Sequence, residues 1–332
     1  MKNLPTGCFL ILHCKMSRQY GDFPFFPQTR TPFIFDIKTI EIIIIFLSGA
    51  CTFIIILPGI RGKARPFWLL RVLTSLFIGA VILAVNFTTD WEVGQVSANT
   101  TYKAFSNAFV NVDVGLRVGL KGINITLKGN PVVQKNETID YNEQFNWELT
   151  KLVDHDYYES LQNGLPNPIL YVAEKFTGNS PCTLQSQYRI CAYYTSALMW
   201  MAFCTWVISN VLFSMQTVEY GAYMILTTAA FMVFSLLSFG TVRHASMCSM
   251  KFGSVTLHTV FGGSFWLTLA TSLLCTLIGV ILILMHRIKP KTLKWLFNLT
   301  ENDEPNSFEK YKMEESCSDD SDSPCMQLRR MS

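Results

Sequence analysis

Hydrophobic residues fall into five runs along the chain, and each run is long enough to cross a lipid bilayer as an α-helix. The runs occupy residues 40–57, 67–86, 192–214, 221–240 and 263–285. A helix rises about 1.5 Å per residue, so about 20 residues span a hydrocarbon core of roughly 30 Å. Only 15% of the residues are charged, against about 25% in an average soluble domain. The pattern predicts an integral membrane protein, mainly α, with five transmembrane helices.

One long polar segment, residues 88–190, separates the second run from the third, and its first half has the pattern of β-strands. From Asn111 to Leu120 apolar residues alternate strictly with polar residues or glycine. Ile123, Ile125 and Leu127 continue the alternation. A period of two is typical of strands with one buried face, so we expect a hairpin or a bent strand here.

The second half of the polar segment has the spacing of helices. Asn130-Pro131 predicts a turn. In residues 142–161 the apolar side chains recur at helical intervals, and residues 169–176 predict a second, short helix. The whole segment is therefore predicted to be a small α+β domain.

The two ends of the chain lack these patterns. Residues 1–39 form an N-terminal arm, and its stretch 20–32 is rich in phenylalanine and proline, which predicts an extended conformation. Residues 286–332 form a tail that begins basic and becomes acidic and serine-rich. The composition predicts disorder after about residue 301.

The distribution of basic residues predicts the orientation. Arg61, Lys63 and Arg65 lie between the first two runs, and a second basic segment follows residue 285. The positive-inside rule places both on the cytoplasmic side. The N-terminal arm, residues 88–190 and residues 241–262 are then extracellular or lumenal, and the tail is cytoplasmic.

Three N-glycosylation sequons agree with this orientation, because Asn99, Asn124 and Asn136 all lie in the predicted extracellular segment. Two further sequons are expected to be unused. Asn86 is too close to the membrane, and Asn298 is on the cytoplasmic side.

Two cysteines also lie in predicted extracellular connectors. Cys182 and Cys248 would share an oxidising compartment, where a disulfide between them can form and persist. Cys191, at the mouth of the third run, is a competing partner for either of them.

The membrane runs offer little for catalysis or transport. The last three contain no Asp, Glu, Lys, Arg or His, and no phosphate-binding or zinc-protease motif is present. Asp154, His155 and Asp156 are better explained as a solvated helix face, because neighbours on a helix point in different directions. A net charge of +3 gives no reason to expect nucleic acid. We therefore predict no enzymatic activity, no cofactor and no metal site.

Longer strings of residues carry a family resemblance. They are residues 56–63 (ILPGIRGK), 67–80 (FWLLRVLTSLFIGA), 99–106 (NTTYKAFS), 118–127 (VGLKGINITL), 136–145 (NETIDYNEQF), 164–176 (GLPNPILYVAEKF) and 180–182 (SPC). The sequence resembles the dual oxidase maturation factors over roughly residues 23–297. Cys191 departs from the family's pattern.

The resemblance implies a five-span protein with an extracellular N-terminus. It also implies a partner that lets a dual oxidase leave the endoplasmic reticulum and produce hydrogen peroxide at the plasma membrane, with the haem, flavin and NADPH sites belonging to the oxidase. The family's glycosylated asparagines match Asn99, Asn124 and Asn136, and its loop cysteines match Cys182 and Cys248. The last four spans are also similar to the claudin-like architecture.

The sequence also predicts two contacts with partners and leaves one alternative function. The arm and the α+β domain would bind the oxidase outside the membrane. Ser75 and Gly79, a pair of small residues four apart, would let another helix approach closely. The alternative is a claudin-like junction or adhesion protein. A transporter is disfavoured by the uncharged spans.

Overall fold

The computed structural model describes residues 37–56, 65–103, 108–135, 137–146, 150–177, 184–215, 218–245 and 250–288. Within these residues, five helices are long and apolar enough to cross a membrane, as the sequence predicted. They are α1 (Ile37–Ile56), α2 (Arg65–Phe87), α5 (Leu184–Ser214), α6 (Val218–Ala245) and α7 (Gly263–Ile288). Among the described residues, those up to Ile281 belong to one compact unit, and Leu282–Ile288 of α7 belong to another.

A small domain of strands and short helices lies between α2 and α5 and between α6 and α7; we call it the sheet domain. Its elements are β1 (Glu92–Thr101), β2 (Phe109–Val118), β3 (Gly122–Gln134), β4 (Glu137–Asn146), α3 (Thr150–Gln162), α4 (Asn167–Lys175), β5 (Met250–Phe252), β6 (Val255–Leu257) and β7 (Thr259–Phe261). Five strands form an antiparallel sheet in the order β4-β3-β2-β1-β7, and β5 pairs with β6. The strands predicted over 111–120 and 123–127 are confirmed as parts of β2 and β3.

Two local predictions are wrong. Asn130-Pro131 lies within β3, where the pairing with β4 shifts register between Lys128 and Val133, so the chain is irregular there without ending the strand. Phe145 belongs to β4, and the helix begins only at Thr150. The apolar residues of β4 and of the following α3 happen to be spaced as in a single helix, which explains the wrong prediction.

The two faces of the five-stranded sheet have different surroundings. The inner face carries apolar side chains such as Val114, Leu116 and Ile125, which are fully buried in the same core cluster as Ile169 and Val172 of α4. The outer face carries the polar side chains that alternate with them. The period of two therefore separates a packed face from a polar one.

Helices α5 and α6 pack antiparallel along a seam of small and hydroxyl side chains. Thr205 Oγ1 lies 2.9 Å from Thr228 Oγ1, and Ser209 Oγ donates to the Gly221 carbonyl at 2.9 Å. Further along, Thr195 Oγ1 donates to the Ser235 carbonyl at 3.4 Å. These hydroxyl groups are satisfied between the helices, which the low polarity of a bilayer core demands.

The predicted small-residue pair Ser75 and Gly79 is used within the chain. Ser75 Oγ donates to Asn210 Oδ1 at 2.5 Å, and a Cβ added to Gly79 would lie 2.5 Å from the Trp206 ring. This face of α2 is covered by α5. Gly79 is therefore not the contact to a partner's membrane helix that the sequence suggested.

A substitution at Gly79 tests this contact. Gly79→Val should lower the thermal midpoint of the detergent-solubilised protein by several degrees, because overpacking a tight contact costs about 1–3 kcal/mol. Gly49→Val is the matched control, since no atom lies within 4 Å of a Cβ at Gly49 on α1. The midpoint would be measured by size-exclusion chromatography after heating. Equal midpoints for the two variants would contradict the α2–α5 contact.

Candidate functional site: the sheet domain

The sheet domain joins the helices through a junction built around Trp91. Its side chain is fully buried, its Nε1 donates to the Val85 carbonyl at 2.9 Å, and its ring centroid lies 5.0 Å from that of Phe239 on α6. The Gly262 N–H donates to the Trp91 carbonyl at 2.9 Å, just before α7 begins. One residue therefore contacts the end of α2, the side of α6 and the approach to α7.

Glu92, the next residue, adds a polar contact to the same junction. Its carboxylate is buried, and Oε2 accepts a hydrogen bond from the Tyr188 hydroxyl at 2.8 Å. Thr88 and Ser264 hydroxyl oxygens lie 2.7 Å apart close by, and they join α2 to α7. The sheet is thus bonded to α5 as well as to the helices that precede and follow it in the chain.

The predicted glycosylation residues lie on the outer face of the sheet where the structure describes them. Asn99 is exposed on β1 and pairs with Asn111 of β2. Asn124 is half-buried on β3, between Arg117 of β2 and Gln144 of β4. Asn136 lies outside the described residues.

The Asn86 side chain, whose sequon is expected to be unused, is packed inside the protein. The Asn86 side chain is 1% exposed, and its Oδ1 accepts a hydrogen bond from Ser196 Oγ at 2.8 Å. An enzyme that attaches a glycan could not reach this amide in the folded chain. Asn298 lies outside the described residues.

Cys182 and Cys248, the predicted disulfide pair, both lie outside the described residues. Their competitor Cys191 is a free, half-buried thiol on α5. Its Sγ donates to the Ser238 carbonyl of α6 at 3.2 Å and lies 3.8 Å from Thr241 Oγ1. Cys191 therefore faces α6.

A buried pair of tyrosines closes the far end of the sheet from the junction. Tyr102 and Tyr141 place their hydroxyl oxygens 2.8 Å apart, and burial, followed by the hydrogen bond to Tyr141, raises the pKa of Tyr102. The Tyr102 carbonyl accepts a hydrogen bond from the Asn167 N–H at 3.0 Å. The end of β1 thereby fixes the start of α4.

Beside this end of the sheet lies a groove of about 420 Å³. Its walls come from α3, α4, the last residues of β1 and the β5–β6 hairpin. The side chains that give it chemical character are Tyr157, Leu161, Tyr171, Glu174, Lys251 and Phe252. We call this the α3–α4 groove.

The α3–α4 groove was not foreseen from the sequence. Its walls come from segments far apart in the chain, and the strands of its hairpin are three residues each. β1 was also missed, because Glu92 and Gly94 occupy inward positions and hide the alternation that Val96 and Ala98 continue. In the sequence, only the aromatic residues of α3 and α4 could have indicated this groove.

The described residues contain one cluster with metal-ligating side chains. His155, Asp156 and Glu159 offer ligand atoms within 4.8 Å of one another on α3. His155 is exposed, and its Nδ1 lies 3.8 Å from Asp156 Oδ1. The solvated helix face that the sequence indicated for His155 and Asp156 stays a prediction.

The fold and its surfaces define a class: a multi-pass membrane protein with five candidate spans and one sheet domain bonded to them. The comparisons then identify the family. The family model for DuoxA, dual oxidase maturation factor, matches residues 25–301. The chain belongs to the dual oxidase maturation factor family.

Similar proteins support the assignment over most of the chain. The chain is 56% identical over 286 residues to dual oxidase maturation factor 1 of Xenopus laevis, which covers 86% of this chain and 93% of that protein. It is 51% identical to dual oxidase maturation factor 1 of Homo sapiens, over 85% of this chain and 83% of that protein. It is 48% identical to dual oxidase maturation factor 2 of Mus musculus, over 85% of this chain and 88% of that protein. These names do not favour the junction alternative.

Proposed function

We propose that this protein is a maturation factor and membrane partner subunit of a dual oxidase. The oxidase would require it to leave the endoplasmic reticulum, reach the plasma membrane and produce hydrogen peroxide. The observation that carries the proposal is the 56% identity to a named maturation factor over 93% of that protein's length. The protein would reside in both membranes with its oxidase.

The role is accessory, with the redox groups belonging to the oxidase. Polar side chains in the described parts of α5 and α6 are used in helix packing, as the Thr205–Thr228 and Ser209–Gly221 contacts illustrate. Such groups stabilise the helix bundle and leave little for proton or electron transfer. This supports a scaffold that binds a partner.

A knockout cell line tests the function directly. Without this chain, the oxidase should keep glycans that endoglycosidase H removes, because it stays in the endoplasmic reticulum. Adding the chain back should give resistant glycans and surface labelling of the oxidase. Normal surface delivery in the knockout would contradict the proposal.

The orientation is proposed with the N-terminus and the sheet domain extracellular or lumenal and the tail cytoplasmic. The last four spans would have a claudin-like arrangement. Asn99 and Asn124 support this orientation, since both lie on the outer face of the sheet, where Asn99 is exposed and Asn124 is half-buried. Asn99, Asn124 and Asn136 are the proposed glycan sites.

Glycan removal one site at a time tests the orientation. Each of Asn99→Gln, Asn124→Gln and Asn136→Gln should remove one glycan step in gel mobility, and treatment with peptide N-glycosidase should collapse all forms to one band. Asn86→Gln is the control and should leave mobility unchanged, because Asn86 is buried. Unchanged mobility for all three single variants would overturn the orientation.

The proposed Cys182–Cys248 disulfide is supported by the register of α5 and α6. Contacts step in opposite directions along the helices, from Ser209–Gly221 through Thr195–Ser235 to Cys191–Ser238. The start of α5 therefore lies beside the end of α6. Cys182 precedes the start of α5 and Cys248 follows the end of α6, each within three residues. In the sequence, the two cysteines thus flank helix ends that are neighbours, which supports the proposed pairing.

Serine substitution tests this disulfide. Cys182→Ser and Cys248→Ser should each lower surface yield and slow non-reducing gel mobility to the same extent as the double variant, because either change removes the same bond. Cys204→Ser is the control, since that thiol is free and exposed on α5. Additive effects of the two single changes, or a shift for neither, would refute the pairing.

A further inference from the structure

The α3–α4 groove combines aromatic walls with an exposed carboxylate. Tyr157, Tyr171 and Phe252 supply rings, and the Tyr171 and Phe252 ring centroids lie 5.3 Å apart in an edge-to-face contact. Glu174 lies on the same side, and burial, followed by the charge of Glu174, raises the pKa of Tyr157. The Glu174 carboxylate is therefore close enough to the Tyr157 hydroxyl to disfavour its ionisation.

The charges of this groove are not neutralised from within. Glu174 and Lys251 are exposed, and neither makes an ion pair within the part of the chain that the structure describes. Lys175, the neighbour of Glu174, lies over the Tyr171 ring with its Nζ 5.1 Å from the centroid. One wall thus presents a free acid, and the hairpin wall presents a free base.

The rings and the Glu174 carboxylate suit an arginine side chain. Aromatic faces attract a cation, and a planar guanidinium can stack on a ring while it binds a carboxylate. Because Lys175 already lies over the Tyr171 ring, the incoming arginine would stack on Tyr157, whose hydroxyl is close enough to Glu174 to sense its charge. Lys251 on the opposite wall would then select an acidic residue near that arginine in the bound segment.

The proposed glycans leave this side of the sheet domain free. Asn99 and Asn124 project from the outer face of the sheet, whereas α4 packs on the inner face and forms a wall of the groove. Thr100, the neighbour of Asn99, alternates to the groove side. A partner could occupy the groove without displacing sugar from the outer face.

We infer that the α3–α4 groove binds an extended segment of the dual oxidase's extracellular part, which inserts an arginine beside Glu174 and an acidic residue beside Lys251. The inference rests on the proposed function and identifies the surface through which that function acts. Leu161, 47% exposed at the groove, would pack against the apolar part of the inserted segment.

Site-specific photocrosslinking in the full-length chain tests the contact. A benzoylphenylalanine at Leu161 should crosslink to a co-expressed dual oxidase, and peptide mapping should find an arginine-containing extracellular segment. The matched control is the same group at Gln95, which is exposed on the outer face. Crosslinking from Gln95 but not from Leu161 would overturn the proposal that the oxidase binds in the α3–α4 groove. A crosslink from Leu161 to this chain's residues 20–32 would also overturn it, because the chain's own N-terminal arm would then occupy the groove.

Charge reversal gives a second, independent readout. Glu174→Arg should lower the co-purified oxidase by about tenfold or more, because it puts like charges together in a desolvated contact. Asp156→Arg is the control with the same change of charge on α3, outside the groove. Equal recovery for both variants would overturn the groove while leaving the maturation role intact. Failure of the unmodified chain to co-purify would overturn the proposed function, and the groove with it.

Discussion

The burial of Trp91 at the point where sheet and helices meet is the constraint on which the rest of the structure depends. Its ring contacts Phe239, its Nε1 bonds to α2, and its carbonyl bonds to Gly262 before α7. Gly262 itself passes so close to Asp90 that any side chain there would clash. Burying a large aromatic with its polar group satisfied is strongly favourable. The sheet domain is therefore fixed on the bundle and not tethered to it.

In both the helix bundle and the sheet domain, polar side chains bond to one another. In the bundle, hydroxyl groups such as Thr205 and Thr228 bond to each other between helices. In the sheet domain, Tyr102 and Tyr141 do the same at the far end from the junction. The charges of Glu174 and Lys251, which make no ion pair with any described residue, remain at the α3–α4 groove.

The sequence predicted the features that follow a regular period, and it failed where the period was hidden. The five apolar runs and the alternation through β2 and β3 identified helices and strands correctly. β1 escaped because Glu92 and Gly94 face inward, where apolar residues are expected. Phe145 was assigned to a helix because a strand and the next helix happened to share a spacing. The groove could not be predicted, since its walls meet only through tertiary packing.

The most direct test of the account is the peroxide released at the cell surface by a dual oxidase expressed with and without this chain. We predict peroxide only when the chain is present, because the oxidase then reaches the plasma membrane with a partner. Equal peroxide output in the two cell lines would contradict the central claim that this chain is required for the maturation of the oxidase.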